Sequence, residues 1–198
     1  MKRLLKSITC VAFIFLFSGT TVFAGEKSVE NETGDPFETI EEIKRSAEQG
    51  NAEAQFLLGS EYLDGVKLTL NYQEALKWYR LSAEQGDMTA QSALGLMYRN
   101  GLGTEQDDVK SFTWYRRAAR QGNATSQYNL GMIYGSGKGV LQSYILSHQW
   151  FNIAAANGHE DGRLMRDKLA ELMTPEQIQE AQRLAKEWSL KYKISKGD

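Results

Sequence analysis

The chain has 198 residues, 41% of them hydrophobic, and a mean hydropathy of −0.47, enough apolar material for one or two cored domains. Basic and acidic side chains nearly balance, 23 Lys and Arg against 25 Asp and Glu, so clustered cations for a phosphate backbone are missing and nucleic acid is not an expected partner. A single cysteine, Cys10, excludes an intrachain disulfide and a thiolate metal cluster, and only two prolines interrupt helix.

Residues 1–24 read as a secretory signal. Met1 to Lys6 carries the basic residues Lys2, Arg3 and Lys6, and an apolar run follows from Ile8 to Phe17. That run is too short to span a bilayer comfortably, and Val22 and Ala24 supply the small residues a signal peptidase reads before Gly25. An uncleaved anchor helix is the alternative. Cys10 lies inside the apolar run behind Ile8 and Thr9, so it does not suit a lipoprotein anchor. Cleavage after Ala24 would leave a thiol-free chain with 20 basic against 25 acidic residues, a net charge of about −5. A periplasmic or secreted location is expected, without stable membrane insertion after cleavage. Residues 25–34 are polar, acidic and aperiodic, a flexible lead. Asp35, Pro36 and Glu38 then stand where a capping box and a first-turn proline would open a helix over 35–50.

From there the chain repeats. Gly50, Gly86, Gly122 and Gly158 are each 36 residues apart, and Gly59, Gly95 and Gly131 keep the interval. So do Gly65, Gly101 and Gly137, the pairs Trp78-Tyr79, Trp114-Tyr115 and Trp150-Phe151, and the frame residues Leu58, Leu94, Leu130 and Tyr62, Tyr98, Tyr134. Self-similarity at this length means stacked helical hairpins, three over residues 51–158, in an all-α, right-handed superhelix. Asn51, Asp87 and Asn123 are placed to cap the first helix of each hairpin, and the glycine about fourteen residues on to end it. Second helices are expected from near Tyr72, Val109 and Tyr144. Gly59, Gly95 and Gly131 fall inside the first helices, where glycine costs about 1 kcal/mol against Ala. Three equivalent sites accepting that cost predict close approach by a neighbouring helix.

The runs Ala-Glu-Gln-Gly-Asn-Ala-Glu-Ala-Gln (47–55), Ala-Glu-Gln-Gly-Asp-Met-Thr-Ala-Gln (83–91) and Leu-Gly-Leu-Met-Tyr-Arg-Asn-Gly-Leu-Gly (94–103) resemble the Sel-one-like repeat, a branch of the tetratricopeptide-like solenoids. Lys67 departs from the pattern, standing where Gly103 and Gly139 stand in the later repeats. The resemblance implies an adaptor that binds a protein or peptide through a concave groove lined by the first helices. One cysteine-rich branch is linked to beta-lactam hydrolysis, which a thiol-free chain does not resemble. After Gly158 the signature fades, and residues 159–198 read as capping helices. Thr174-Pro175-Glu176-Gln177 is a second capping box, and Ile178, Ala181, Ala185, Trp188 and Tyr192 form one apolar stripe facing the last repeat.

No catalytic, metal or cofactor residue is singled out. His148 and His159 are the only histidines and lack ligand spacing. His159-Glu160-Asp161 occupies the helix-capping slot of Asn51-Ala52-Glu53, and Gly135-Ser136-Gly137-Lys138-Gly139 lacks the positions of a phosphate loop. An envelope hydrolase with an unrecognised site is the alternative function, and a plain structural spacer a third. The groove positions are those offset from the buried frame of each first helix. They are Glu53, Phe56, Ser60, Leu63 and Asp64; Thr89, Ser92, Leu96, Arg99 and Asn100; and Thr125, Tyr128, Met132, Gly135 and Ser136. Arg99 and Tyr128 are the favoured contacts, as Arg and aromatic side chains dominate binding hot spots.

Overall fold

The computed structural model describes Thr39–Tyr192, and the signal segment, the lead and the Asp35–Glu38 cap lie outside the described residues. Among them the helices, in chain order, are α1 (Ile40–Glu48), α2 (Ala52–Asp64), α3 (Tyr72–Glu84), α4 (Met88–Asn100), α5 (Asp108–Arg120), α6 (Ala124–Ser136), α7 (Tyr144–Ala156), α8 (Glu160–Ala170) and α9 (Pro175–Lys191). No strand interrupts them, and no described helix is long and apolar enough to cross a membrane.

Local chemistry sets the boundaries. The side-chain oxygens of Asn51, Asp87 and Asn123 accept from the backbone N–H of Ala54, Ala90 and Ser126 at 2.9, 2.6 and 2.8 Å. Gly65, Gly101 and Gly137 end the same helices in the left-handed conformation, their N–H groups reaching back to Glu61, Met97 and Ile133. α3, α5 and α7 are capped by Asn71, Asp107 and Ser143. The N–H of each of these caps also donates to the carbonyl of Tyr62, Tyr98 or Tyr134 at 2.8–2.9 Å, so the frame tyrosine's backbone clamps the hairpin loop. α1 opens on a capping box formed by Thr39 and Glu42.

α2–α3, α4–α5 and α6–α7 are the three hairpins, each packed on the next, and α8 follows on α7. Their buried residues form three core clusters, one over α1 and α2, one over α3 and α4, and one over α5, α6, α7 and α9. Leu58, Leu94 and Leu130 are fully buried, as are Tyr79, Tyr115 and Phe151, while Trp78 and Trp114 are only half-buried. The glycines within the first helices explain the asymmetry. A Cβ added at Gly59, Gly95 or Gly131 would lie 2.7, 2.6 or 2.5 Å from a ring atom of Tyr79, Tyr115 or Phe151. What approaches is therefore an aromatic ring of the partner helix, packed where a side chain would stand. Ser111 and Ser147 complete the seat in the second and third hairpins by donating to the carbonyls of Gly95 and Gly131.

A row of buried amides joins successive hairpins. The Nε2 of Gln55, Gln91 and Gln127 donates to the carbonyl of Ala47, Ala83 and Ala119, each in the last turn of the preceding second helix. Their Oε1 atoms accept from Gln85, Gln121 and Asn157, the C-caps of α3, α5 and α7, at 2.7–3.0 Å. Every atom of each amide is used between helix ends, which suits groups at most 5% exposed.

The departure at Lys67 also has a physical reason. Gly103 presses against the backbone at Tyr72 and Gln73, and Gly139 against Asp108, at the start of the preceding hairpin's second helix. The corresponding position before Lys67 is residue 36, outside the described residues, and α1 starts one turn later in the frame than α3. Lys67 instead folds onto Glu61, its Nζ 3.4 Å from the carboxylate.

Candidate functional site

α2, α4 and α6 present their non-frame positions to one face, and three hollows lie along it. The central hollow, about 290 Å³, is lined by Phe56, Thr89, Ser92, Leu96 and Thr125, together with Tyr79, Ala93, Tyr115, Asn123 and Asn129. A second, about 200 Å³, takes Arg99, Met132 and Ser136 with Asp108, Ser111, Ile133 and Lys138. The third, about 320 Å³, lies between α6, α7 and α8. It takes Met132, Gly135 and Ser136 with Tyr144, Phe151, Met165, Lys168, Leu169 and Leu172. Nine of the expected groove positions thus meet in these hollows.

The remaining positions lie elsewhere. Glu53, Asp64 and Asn100 are exposed at helix ends, and Leu63 packs onto the α3–α4 core. Ser60 donates to the Phe56 carbonyl and bonds the Tyr79 hydroxyl at 3.0 Å. Tyr128 stacks on His159, ring centroids 4.4 Å apart and nearly parallel, with Phe151 on its other flank at 5.6 Å. His159 caps α8 as its slot implied, Nδ1 accepting from Gly162 N–H at 3.2 Å. Tyr128 is thereby a wall that joins α6 to the start of α8.

Tyr79 and Tyr115, which keep the 36-residue interval, are core residues at 1–2% exposure. They also form the floor of the central hollow. The signal for this second role was the glycine opposite each, since a missing side chain lets the ring edge show through the first-helix layer. Burial pushes the Tyr115 phenol up to about 12, partly opposed by the Arg99 guanidinium beside it. Burial also raises Tyr79, opposed by its Ser60 bond and reinforced by Asp64. Both phenols are therefore neutral at physiological pH; that of Tyr79 bonds Ser60, whereas the buried Tyr115 hydroxyl has no hydrogen-bond partner. Arg99 is fixed from the other side by Asn129, which accepts from its Nη1 at 2.9 Å. Among the described residues no three His, Cys, Asp or Glu side chains gather as a metal site.

The comparisons with known proteins agree with this architecture. The Sel1 repeat profile matches residues 52–87, 89–123 and 124–159. The crystal structure of a Sel1 repeat protein from Oxalobacter formigenes is 40% identical, with a TM-score of 0.60 over 65% of this chain and 97% of that one. c5321, a protective antigen of uropathogenic Escherichia coli with an SLR fold, is 30% identical at a TM-score of 0.50. That match covers 77% of this chain but only 41% of the antigen. The cysteine-rich protein B of Helicobacter pylori shares the fold at 20% identity, with a TM-score of 0.53 over 64% of this chain and 96% of that one. No curated protein sequence matches significantly. With three consecutive repeats matched over more than half its length, the chain belongs to the Sel1 repeat family.

Proposed function

We propose that the protein is an exported, non-enzymatic adaptor that holds a protein or peptide partner against the face of α2, α4 and α6. Repeats of this family generally serve protein–protein interaction. The observation that carries the reading is the split between constant and variable positions. Frame residues such as Leu58, Leu94 and Leu130 repeat unchanged, whereas equivalent surface positions run Phe56, Ser92, Tyr128 and Ser60, Leu96, Met132. A surface kept only for solubility needs neither aromatic nor thioether groups in its hollows; a surface shaped for one partner does.

Cross-linking the mature chain in an envelope extract identifies the partner, and a double substitution then tests the face. Arg99→Ala with Tyr128→Ala is expected to weaken that partner's binding by more than about 2 kcal/mol, roughly 30-fold, with helical content unchanged. Full binding by the folded double variant would move the contact to another face. Export rests on the basic start, short apolar run and Val22-Phe23-Ala24 ending of the first 24 residues. The intact mass of the exported protein should correspond to a chain beginning at Gly25, in the periplasm or beyond, and a species retaining Cys10 would refute cleavage.

A further inference from the structure

Charge is distributed unevenly along this face. At its α2 end stand the exposed carboxylates Glu53 and Asp64. The central hollow is walled by aromatic, hydroxyl and amide groups and has no charged side chain. At the α8 end the other two hollows adjoin through Met132 and Ser136. Their walls carry Arg99, Lys138 and Lys168 against one carboxylate, Asp108. Lys138 and Lys168 are exposed and join none of the ion pairs among the described residues. Arg99 is bonded to the neutral Asn129, and Asp108 accepts from Gln106. The trough is thus positive in a chain that is acidic from residue 25 onward.

The hollow that Lys168 lines is otherwise a largely apolar socket, and it adjoins the one that holds Arg99 and Lys138. Met132, Met165 and Leu169 form its sides, and the Phe151 ring its base. Tyr144 and Leu172 stand at its mouth, 41% and 71% exposed, leaving apolar surface turned to solvent around the opening. Its volume of about 320 Å³ admits one large side chain, and thioether walls adapt to branched or aromatic shapes alike.

We propose, building on the adaptor reading above, that this end of the groove takes an extended acidic peptide segment. One Leu, Met or Phe of the segment enters the socket, and carboxylates on either side of it meet Lys138 and Lys168. The apolar anchor supplies affinity through desolvation, while the cations fix register and steer the encounter. A basic segment would face three like charges over the same path. The unpaired lysines are what select one sign of partner over the other.

Fluorescence anisotropy with the full chain and short synthetic peptides tests this. The reference peptide has glutamates flanking a central Leu. It should bind at least about tenfold tighter than its central-Ala counterpart and than the version with Lys in place of Glu. Its affinity should fall as salt rises, because the lysines are exposed. Lys138→Glu with Lys168→Glu should invert the preference toward the Lys peptide while leaving the melting temperature unchanged. Equal binding of the acidic and basic peptides, or of the Leu and Ala centres, overturns the inference. If that occurs while Arg99→Ala with Tyr128→Ala still releases the cross-linked partner, the adaptor reading stands and only the acidic-segment assignment falls. Retention of the partner by that folded variant moves the partner's contact off this face, and the placement of the adaptor's groove fails along with the acidic-segment assignment.

Discussion

In each inner hairpin the second helix lays an aromatic ring on a glycine of the first: Tyr79 on Gly59, Tyr115 on Gly95, Phe151 on Gly131. The closing pair of helices lacks both halves of that fit. Thirty-six residues after Gly131 stands Asp167, and after Trp150 and Phe151 come Lys186 and Glu187. α9 accordingly packs on α7, with Trp188 edge-on to Trp150 at 4.6 Å and the Gln149 amide donating to the Leu184 carbonyl. Ala181 and Ala185 are its buried contacts. The outer face of α8, with Leu164 51% exposed, is left open beside the apolar socket. A glycine in the first helix is thus what directs where the second helix sits. Where α8 carries Asp167 at the equivalent position, the last helix sits one neighbour over, on α7.

The sharpest test of that difference makes one substitution at both places. Gly95→Leu should cost about 3 kcal/mol or more, because the new side chain begins 2.6 Å from the Tyr115 ring in a close-packed core. Helix propensity alone favours Leu over Gly by roughly 1 kcal/mol, so the sign separates the two effects. Asp167→Leu, at the equivalent exposed position of α8, should stay within about 0.5 kcal/mol of wild type. Thermal unfolding of the pair reads the contrast, and equal melting temperatures would break it.

Trp188→Ala addresses the alternative seat. The indole is half-buried between Trp150 and Tyr192, whose ring centroid lies 4.1 Å away, and its loss should cost about 2 kcal/mol. Because α9 closes one end of the stack, the damage should stay local. Hydrogen exchange should speed up along Pro175–Lys191 while α2–α5 keep their protection. Uniform acceleration across all helices would mean that the cap and the repeats unfold as one.

The smallest effect concerns the frame position held by Leu76 in α3, Phe112 in α5 and His148 in α7. His148 is 2% exposed, and its Nδ1 lacks a hydrogen-bond partner. Burial and the nearby Arg166 of α8 hold its pKa below the ordinary 6.5, with Asp167 opposing. The folded chain therefore keeps this imidazole neutral, whereas the unfolded chain takes up the proton more readily. Stability should be full above pH 6.5 and decline as pH falls below it toward the folded value. His148→Phe, which restores the residue found at Phe112, should flatten the melting temperature between pH 7 and 5. An unchanged slope would assign the acid sensitivity elsewhere.

The hairpins were legible because every boundary is local chemistry repeated at a fixed interval: caps at Asn51, Asp87 and Asn123, stops at Gly65, Gly101 and Gly137. The terminal cap was legible too, since Thr174 and Gln177 form a capping box and Ala181, Ala185 and Trp188 keep one stripe. The face was legible only in part. Helical offset located Phe56, Leu96 and Met132, but it could not show that Tyr79 and Tyr115 reach through the first-helix layer, which depends on two helices meeting at a glycine. Nor could it show that Tyr128 would be taken up by His159, thirty-one residues away. The contribution of α8 through Met165 and Leu169 was hidden for the same reason, since only packing brings it beside α6.

The amide row that links Gln55, Gln91 and Gln127 to their neighbours contains no ionised group. Dissolved ions screen neutral amide bonds very little, while they strongly weaken an exposed lysine's hold on a carboxylate. The proposed contact at Lys138 and Lys168 and the links between hairpins therefore differ in how they answer to salt. Raising ionic strength would loosen whatever rests on Lys138 and Lys168 and leave the backbone of the stack untouched.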